Sequence, residues 1–448
     1  MIIKRKQSIN IINYFICFFP ISLALGNLLT NANTLIIVFL GILIFKKEIF
    51  RFSKIDILVL GFFIILFFST SVSYFFSENT NLSTFYKSIF FFRYFFLYKI
   101  LNTLIQRNDF NLKFFLTSAA TTLLVISIDI IIQYSLGYNL LGLKPPADSI
   151  HFSGVFGSEL IAGGYIVRFY FLALAFIFLL LRKEKWKFNI YFLTAIILFL
   201  FCTILSGNKV PIVFYILGLI LGFVFIKHLR YLFFSSIICC ATFIFILLNF
   251  NSDFQLQTGR LSAGSQKILV KIQENVFNKL IIEKNLPKEK IDPQPTRKFN
   301  ATFTGSSQHY IIFLTAIDTM KDRIIIGGGL KNFSNNCKKF YLNKDRGCSN
   351  HPHNYYLEII NDVGIIGLIL FLIIIFSMVK KYFTLIASKE TSSLKYLYFF
   401  ILITLILELT PIKSTGSFFS TGNATFVFLI LGILNNLDSV SKEKNRTL

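Results

Sequence analysis

Carboxylates are scarce in this chain. Against 45 Lys and Arg, its 448 residues hold only 22 Asp and Glu, and nowhere do two acids form the Asp-x-Asp pair that commonly holds a divalent ion. His351 and His353 make a His-x-His, a weak metal signal without further ligands. Metal-dependent chemistry therefore has little to build on, and no cofactor is expected. A nucleotide loop is missing too, because Gly327 to Gly329 is not followed by the Lys and Ser or Thr that such a loop requires. No internal repeat and no low-complexity tract is visible. No small-residue cleavage site follows the first apolar run, so that run reads as an anchor rather than a removed signal peptide.

What is abundant is apolar surface. The chain is 54% hydrophobic with 56 Phe, and its mean hydropathy of +0.66 is too high for a water-facing exterior. A bilayer must be the solvent. Apolar runs suited to a core ~30 Å thick recur near 10–29, 34–45, 55–76, 85–105, 112–136, 160–181, 188–205, 209–226, 230–249, 359–379, 394–410 and 417–434. The expected fold is all-α: a polytopic integral membrane protein of about twelve transmembrane helices. The run at 34–45 is short and the turn between 205 and 209 is tight, so this number carries a margin of one or two.

A net charge of +23 invites a nucleic-acid reading, but the distribution argues against one. Basic residues crowd into alternate connections, at 1–7, 46–56, 106–113, 182–187, 227–230, 380–395 and the tail from 438, while the intervening short loops hold only Lys144, Lys209 and Lys413. That is the positive-inside pattern, and it puts both termini in the cytoplasm. One connection is long. Residues 250–353 run without a span and fall outside, giving an expected organisation of a bundle over 1–249 (about nine helices), a loop domain over 250–353 and a second bundle over 354–448 (about three helices). Within the loop, Ile268, Ile272, Val276, Leu280 and Ile281 repeat at helical spacing, as does a stretch from Tyr310 to Met320, so short amphipathic helices are expected there.

Cysteines divide by compartment. Cys17, Cys202, Cys239 and Cys240 fall in apolar runs, where a thiol is a small apolar filler. Only Cys337 and Cys348 face outside, where they either close a disulfide-bonded loop just before His351 or remain two free thiols.

Charges inside spans cost roughly 2.5–3.5 kcal/mol each at the bilayer centre. Arg93, Arg168 and Asp129 fall about 12 Å below the outer surface at ~1.5 Å per residue, Glu408 and Lys87 lie nearer that surface, and Lys209 stands at a helix start. Lys99, near an inner end, is expected to snorkel to water. The outer basic cluster is either a set of buried ion pairs holding helices together or a cradle for an anionic lipid headgroup, since two guanidinium groups can neutralise a pyrophosphate without a metal.

The most specific stretch lies where the long loop re-enters the membrane: His351-Pro352-His353-Asn354, then Gly364 and Gly367 at the start of a span. His353 is a titratable imidazole at the mouth of a bundle, suited to taking a proton from a hydroxyl; the alternative is that it caps the helix. Asn354 can orient a partner, and Gly364 and Gly367 allow close helix approach.

His353-Asn354, nine residues, Gly364, two residues and Gly367 resemble the motif of O-antigen ligases and the related O-antigen polymerases. The expected spans, the single long outer loop and Ser206-Gly207-Asn208-Lys209 at a helix start extend the resemblance over nearly the whole chain. It implies a metal-independent, inverting glycosyltransferase of the bacterial inner membrane with its active face in the periplasm. The substrates implied are a glycan on polyprenyl pyrophosphate as donor and lipid A core, or a growing glycan, as acceptor. The family's base maps onto His353, with Asn354, Gly364, Gly367 and His351 in support. The family usually has Arg where Lys209 stands, which keeps the charge but loses the bidentate fork. A second family arginine lies in the loop; Arg260 is the first choice, Arg323 the second, and Arg297 sits in the least family-like part. The pyrophosphate is then expected against Arg93, Arg168, Lys209 and Arg260. Transfer to lipid A core makes the protein a ligase, joining of repeat units a polymerase, and protein O-glycosylation is a minor third outcome. The non-enzyme alternative is a secondary transporter or flippase, which would show matched helix breaks in two halves.

Overall fold

The computed structural model describes residues 2–76, 81–146, 151–250, 308–340, 347–387, 393–411 and 416–437. They form helices α1 (Ile2–Cys17), α2 (Phe19–Leu25), α3 (Asn27–Phe45), α4 (Lys54–Phe76), α5 (Leu82–Gln106), α6 (Leu112–Leu136), α7 (Ala162–Leu181), α8 (Lys185–Leu205), α9 (Lys209–Phe225) and α10 (Arg230–Phe250). After the long connection come α11 (Gln308–Met320), α12 (Asn332–Phe340), α13 (Tyr355–Ala387), α14 (Leu394–Glu408) and α15 (Thr421–Asn436). No strand occurs among the described residues. The expected amphipathic helix over 268–281, Arg260 and Arg297 lie outside the described residues.

This is an all-helical membrane protein. Each of the twelve apolar runs is helical, yet by length and composition only eight helices among the described residues suit a crossing, or nine if the bent pair α1 and α2 is one span. Helices α9 and α15 are apolar but shorter, and α14, at 15 residues, reaches only about 22 Å. The first run is broken rather than straight: α1 and α2 meet at 42°, with Pro20 in the first turn of α2, where a missing N–H costs nothing. Helix α3 begins at Asn27 instead of near 34. Its polar first turns conceal a helix in the sequence because their donors are taken up by main-chain carbonyls: Thr30 Oγ1 donates to Ser22 O at 2.9 Å, and Asn33 Nδ2 to Phe15 O at 2.9 Å.

Helices α5, α7, α14 and α15 form the interior, with α5 against α15 and α7 against α6, α8 and α14. Phenylalanine fills the seams, for example Phe63 against Phe428 at 4.9 Å between ring centroids. Lys99 departs from expectation. It is fully buried and pairs with Asp56 at 2.6 Å, and the same carboxylate accepts from Tyr98 Oη at 2.8 Å and Asn102 Nδ2 at 2.9 Å. A snorkelling lysine needs a path to water; here α15 closes that path, with Asn435 Nδ2 donating to Tyr98 Oη at 2.9 Å.

Candidate active site

The motif glycines sit at a break, not in a smooth helix contact. Gly364 has φ 74°, which splits α13 into a first part over 355–363 and a long second part. A Cβ at this position would collide with the Ile325 carbonyl, so both backbone and space demand glycine. Into the break is woven the turn at Gly327 to Gly329. Gly328 N donates to Asn361 O at 2.8 Å, Gly329 N to Asp362 O at 3.0 Å, and Ile365 N to Ile324 O at 2.8 Å. Gly367 faces its own helix, where an added Cβ would meet the Val363 side chain. The expected close approach of two helices at Gly364 and Gly367 is therefore an interlock of two loops through main-chain bonds.

Two acids that no motif singled out hold this seam. The buried Asp362 carboxylate accepts from Lys331 N at 2.9 Å and Asn332 N at 3.0 Å, and so caps α12. One turn earlier, buried Glu358 accepts from Phe418 N at 2.6 Å and Ser417 Oγ at 2.5 Å, tying α13 to the segment before α15. Asn361 adds a third tie, accepting from Thr319 Oγ1 at 2.6 Å and donating to Ala316 O at 3.0 Å. Helices α11 and α12 share a small apolar core of Ile312, Ala316, Phe333 and Cys337, against which Cys348 and Leu357 pack. Cys337 and Cys348 are joined as a disulfide, with Cα atoms 5.2 Å apart.

His353 stands at the head of α13 in the left-handed region, φ 55°, with the His351 ring against its own at 4.2 Å between centroids. The helix cap belongs to its neighbour. Asn354 Oδ1 accepts from Tyr356 N at 3.0 Å and Leu357 N at 3.2 Å, while Asn354 Nδ2 donates to Pro411 O at 2.6 Å. The pair is thus fixed between α13 and the end of α14, and a non-glycine residue held at positive φ is a conformation that functional sites often store.

The cations differ in burial. Arg168 grips Glu408 with two bonds, at 2.9 and 2.7 Å, and also donates to Asn423 Oδ1. Tyr355 Oη joins the same carboxylate at 2.5 Å, so α7, α13, α14 and α15 meet at one ion pair below His353. Arg93 donates to Asn31 Oδ1 at 3.1 Å and Tyr94 Oη at 2.6 Å. Asp129 is not part of that cluster; it accepts from Leu140 N at 2.8 Å and shapes the connection after α6. Lys209 is exposed at the first turn of α9, beyond Gly207 at φ 73°. Asn208 Nδ2 fastens that turn to Leu160 O at 2.7 Å. Lys331 is held below the usual lysine range by partial burial and by the neighbouring Lys87 ammonium.

A family model described as O-antigen ligase matches residues 194–372. Over those residues the chain carries the domain of the O-antigen ligase superfamily. It is a membrane enzyme of the ligase or polymerase type; no curated protein matches it. The ligase match begins inside α8 and ends inside α13, so it takes in Lys209, the glycine turn, His353 and Gly367 and leaves Arg93 and Arg168 outside. Among the described residues, no three His, Cys, Asp or Glu side chains group as a metal site.

Proposed function

We propose that this ligase-superfamily protein transfers a glycan from polyprenyl pyrophosphate to an acceptor hydroxyl on lipid A core, at the periplasmic face of the inner membrane and without a metal, with His353 as general base. The carrying observation is the His353 geometry: an imidazole held in a left-handed turn while Asn354 does the capping. In this reaction His353 takes the acceptor hydroxyl proton, the oxygen attacks the anomeric carbon, and the bond from that carbon to the pyrophosphate oxygen breaks. Charge develops on the departing pyrophosphate, where fixed cations and helix N-terminal amides contribute most. Lys209 suits that position, since α9 starts there without a side-chain cap. Arg260 of the long connection and Arg93 are further candidates. Arg168, its charge offset by Glu408, serves better to fix the wall of the site than to neutralise the donor.

The transporter reading finds no support in the helix breaks: among the described residues they fall in the first apolar run, between α1 and α2, and in the tenth, at Gly364, which are not matching positions of two halves. Lipopolysaccharide from a strain lacking the gene tests the proposal. Bare core with full-length glycan accumulating on the polyprenyl carrier is the expected result; core bearing a single repeat unit would make the protein a polymerase, and unchanged lipopolysaccharide would overturn the transfer reading altogether.

A further inference from the structure

The chain has six cysteines, and four of them, Cys17, Cys202, Cys239 and Cys240, are free thiols within α1, α8 and α10. Cys337 and Cys348 form its one disulfide. Such a bond ordinarily stabilises by restricting the unfolded chain, and does so more for a longer loop; this one spans only 11 positions. Nor does α12 depend on it for its seat. Asp362 caps the first turn of α12, Leu330 N donates to Thr70 Oγ1 at 3.0 Å just ahead of it, and Phe333 is buried with Ile312 and Ala316 of α11. The disulfide stands at the far end of α12, and what it holds there is the segment 348–353.

That segment carries the imidazole. His353 adopts φ 55°, a conformation that a non-glycine residue keeps only where its surroundings fix it. Downstream the fixing comes from Asn354, which caps α13 and donates to Pro411 O at 2.6 Å. Upstream it comes from the covalent tie of Cys348 to the buried Cys337, beside which Gly347 N donates to Thr315 Oγ1 at 3.0 Å. Between the tie and the imidazole, Ser349 Oγ donates to His351 O at 2.6 Å, and the His351 ring lies against that of His353. We propose that the Cys337–Cys348 disulfide is a positioning element for His353: it fixes the upstream end of the turn that aims the imidazole, acting through His353 and touching no substrate. The assignment of that imidazole as base rests on the transfer reading above. When the bond opens, α12 keeps its place and the imidazole loses its aim.

The test uses the full-length protein in detergent, with and without a water-soluble phosphine, which reduces the disulfide to two thiols and is itself oxidised to the phosphine oxide. Mass spectrometry of maleimide-labelled Cys337 and Cys348 follows the opening. Reduction should lower kcat roughly ten- to a hundredfold, the scale of a misplacement of up to ~1 Å. It should leave the KM for the polyprenyl-linked donor and the protease resistance of 308–340 unchanged, and it should cost His353→Ala no further rate, because two changes that act through one group are not additive. The double variant Cys337→Ala, Cys348→Ala should match reduced wild type and ignore the phosphine. Full kcat in reduced wild type, an equal fold loss on reducing His353→Ala, or loss of protease resistance in 308–340 would each overturn the positioning role. A second readout needs no transfer. Diethyl pyrocarbonate acylates neutral imidazole, and reduction should raise its rate at His353 several-fold while leaving His228, between α9 and α10, unchanged. The two readings therefore fail separately: a raised His353 rate in a protein that transfers no glycan removes the transfer reading alone, and an unchanged His353 rate removes the positioning role.

Discussion

His353 and Asn354 are adjacent and have separable jobs. Because Asn354 carries the cap, His353→Ala should leave the protein folded and lower glycan transfer at least ~100-fold, the lower end for a general base. Transfer rates of purified variants check this, and a wild-type rate in His353→Ala would remove His353 from the chemistry. Asn354→Ala should show the reverse balance, losing about 0.5–2 kcal/mol of stability as cap deletions do, with a smaller loss of turnover. His353 stands out in the sequence as a candidate because its spacing to Gly364 and Gly367 resembles the family motif. Glu358 and Asp362 do not, because what defines each is a partner distant in sequence: the Phe418 amide, and the Lys331 and Asn332 amides. A buried acid has no local pattern; its warrant is the set of donors that folding brings to it.

Helix α13 works as two pieces, and Gly364 is the joint. An alanine there must adopt φ near 74° and displace the 325–327 backbone, so Gly364→Ala should cost about 1–3 kcal/mol from strain alone. It should also loosen the seam that seats α11 and α12. Gly367→Ala meets only a side chain of its own helix and should cost less. Protease resistance of the 308–340 segment in the two variants separates them: equal resistance would mean the interlock does not hold that segment. The apolar runs made most helices visible beforehand, but α3 began earlier than hydropathy suggests, since Asn and Thr buried by hydrogen bonds to main-chain carbonyls look like loop in a one-dimensional reading. Gly327 to Gly329 is not legible as half of an interlock, because the other half lies beyond α12.

At the scale of the molecule the two ends of the bundle carry different polar centres. Asp56 and Lys99 pair at one end and Arg168 and Glu408 toward the His353 end. Removing one partner of a buried pair leaves an uncompensated charge, so Asp56→Asn should destabilise by about 3–5 kcal/mol, and adding Lys99→Met should recover much of the loss. Thermal loss of the detergent-solubilised folded protein measures both; additive losses would show that the pair is not coupled. Topology has its own test. A reporter fused after Lys185, at the start of α8, should read cytoplasmic and one near Asn300 external, since the basic connections demand it; a cytoplasmic signal at Asn300 would invert the scheme.

The weave at Gly364 also constrains how the protein can be made. Main-chain bonds from 324–329 enter the helix break from a segment synthesised before it, so α13 cannot reach its final shape until that earlier segment lies beside it. Placement of the 324–329 turn therefore precedes, and gates, the settling of the last three helices. Nascent chains stalled after residue 387 should already protect the glycine turn from protease, whereas chains stalled before residue 355 should leave it open.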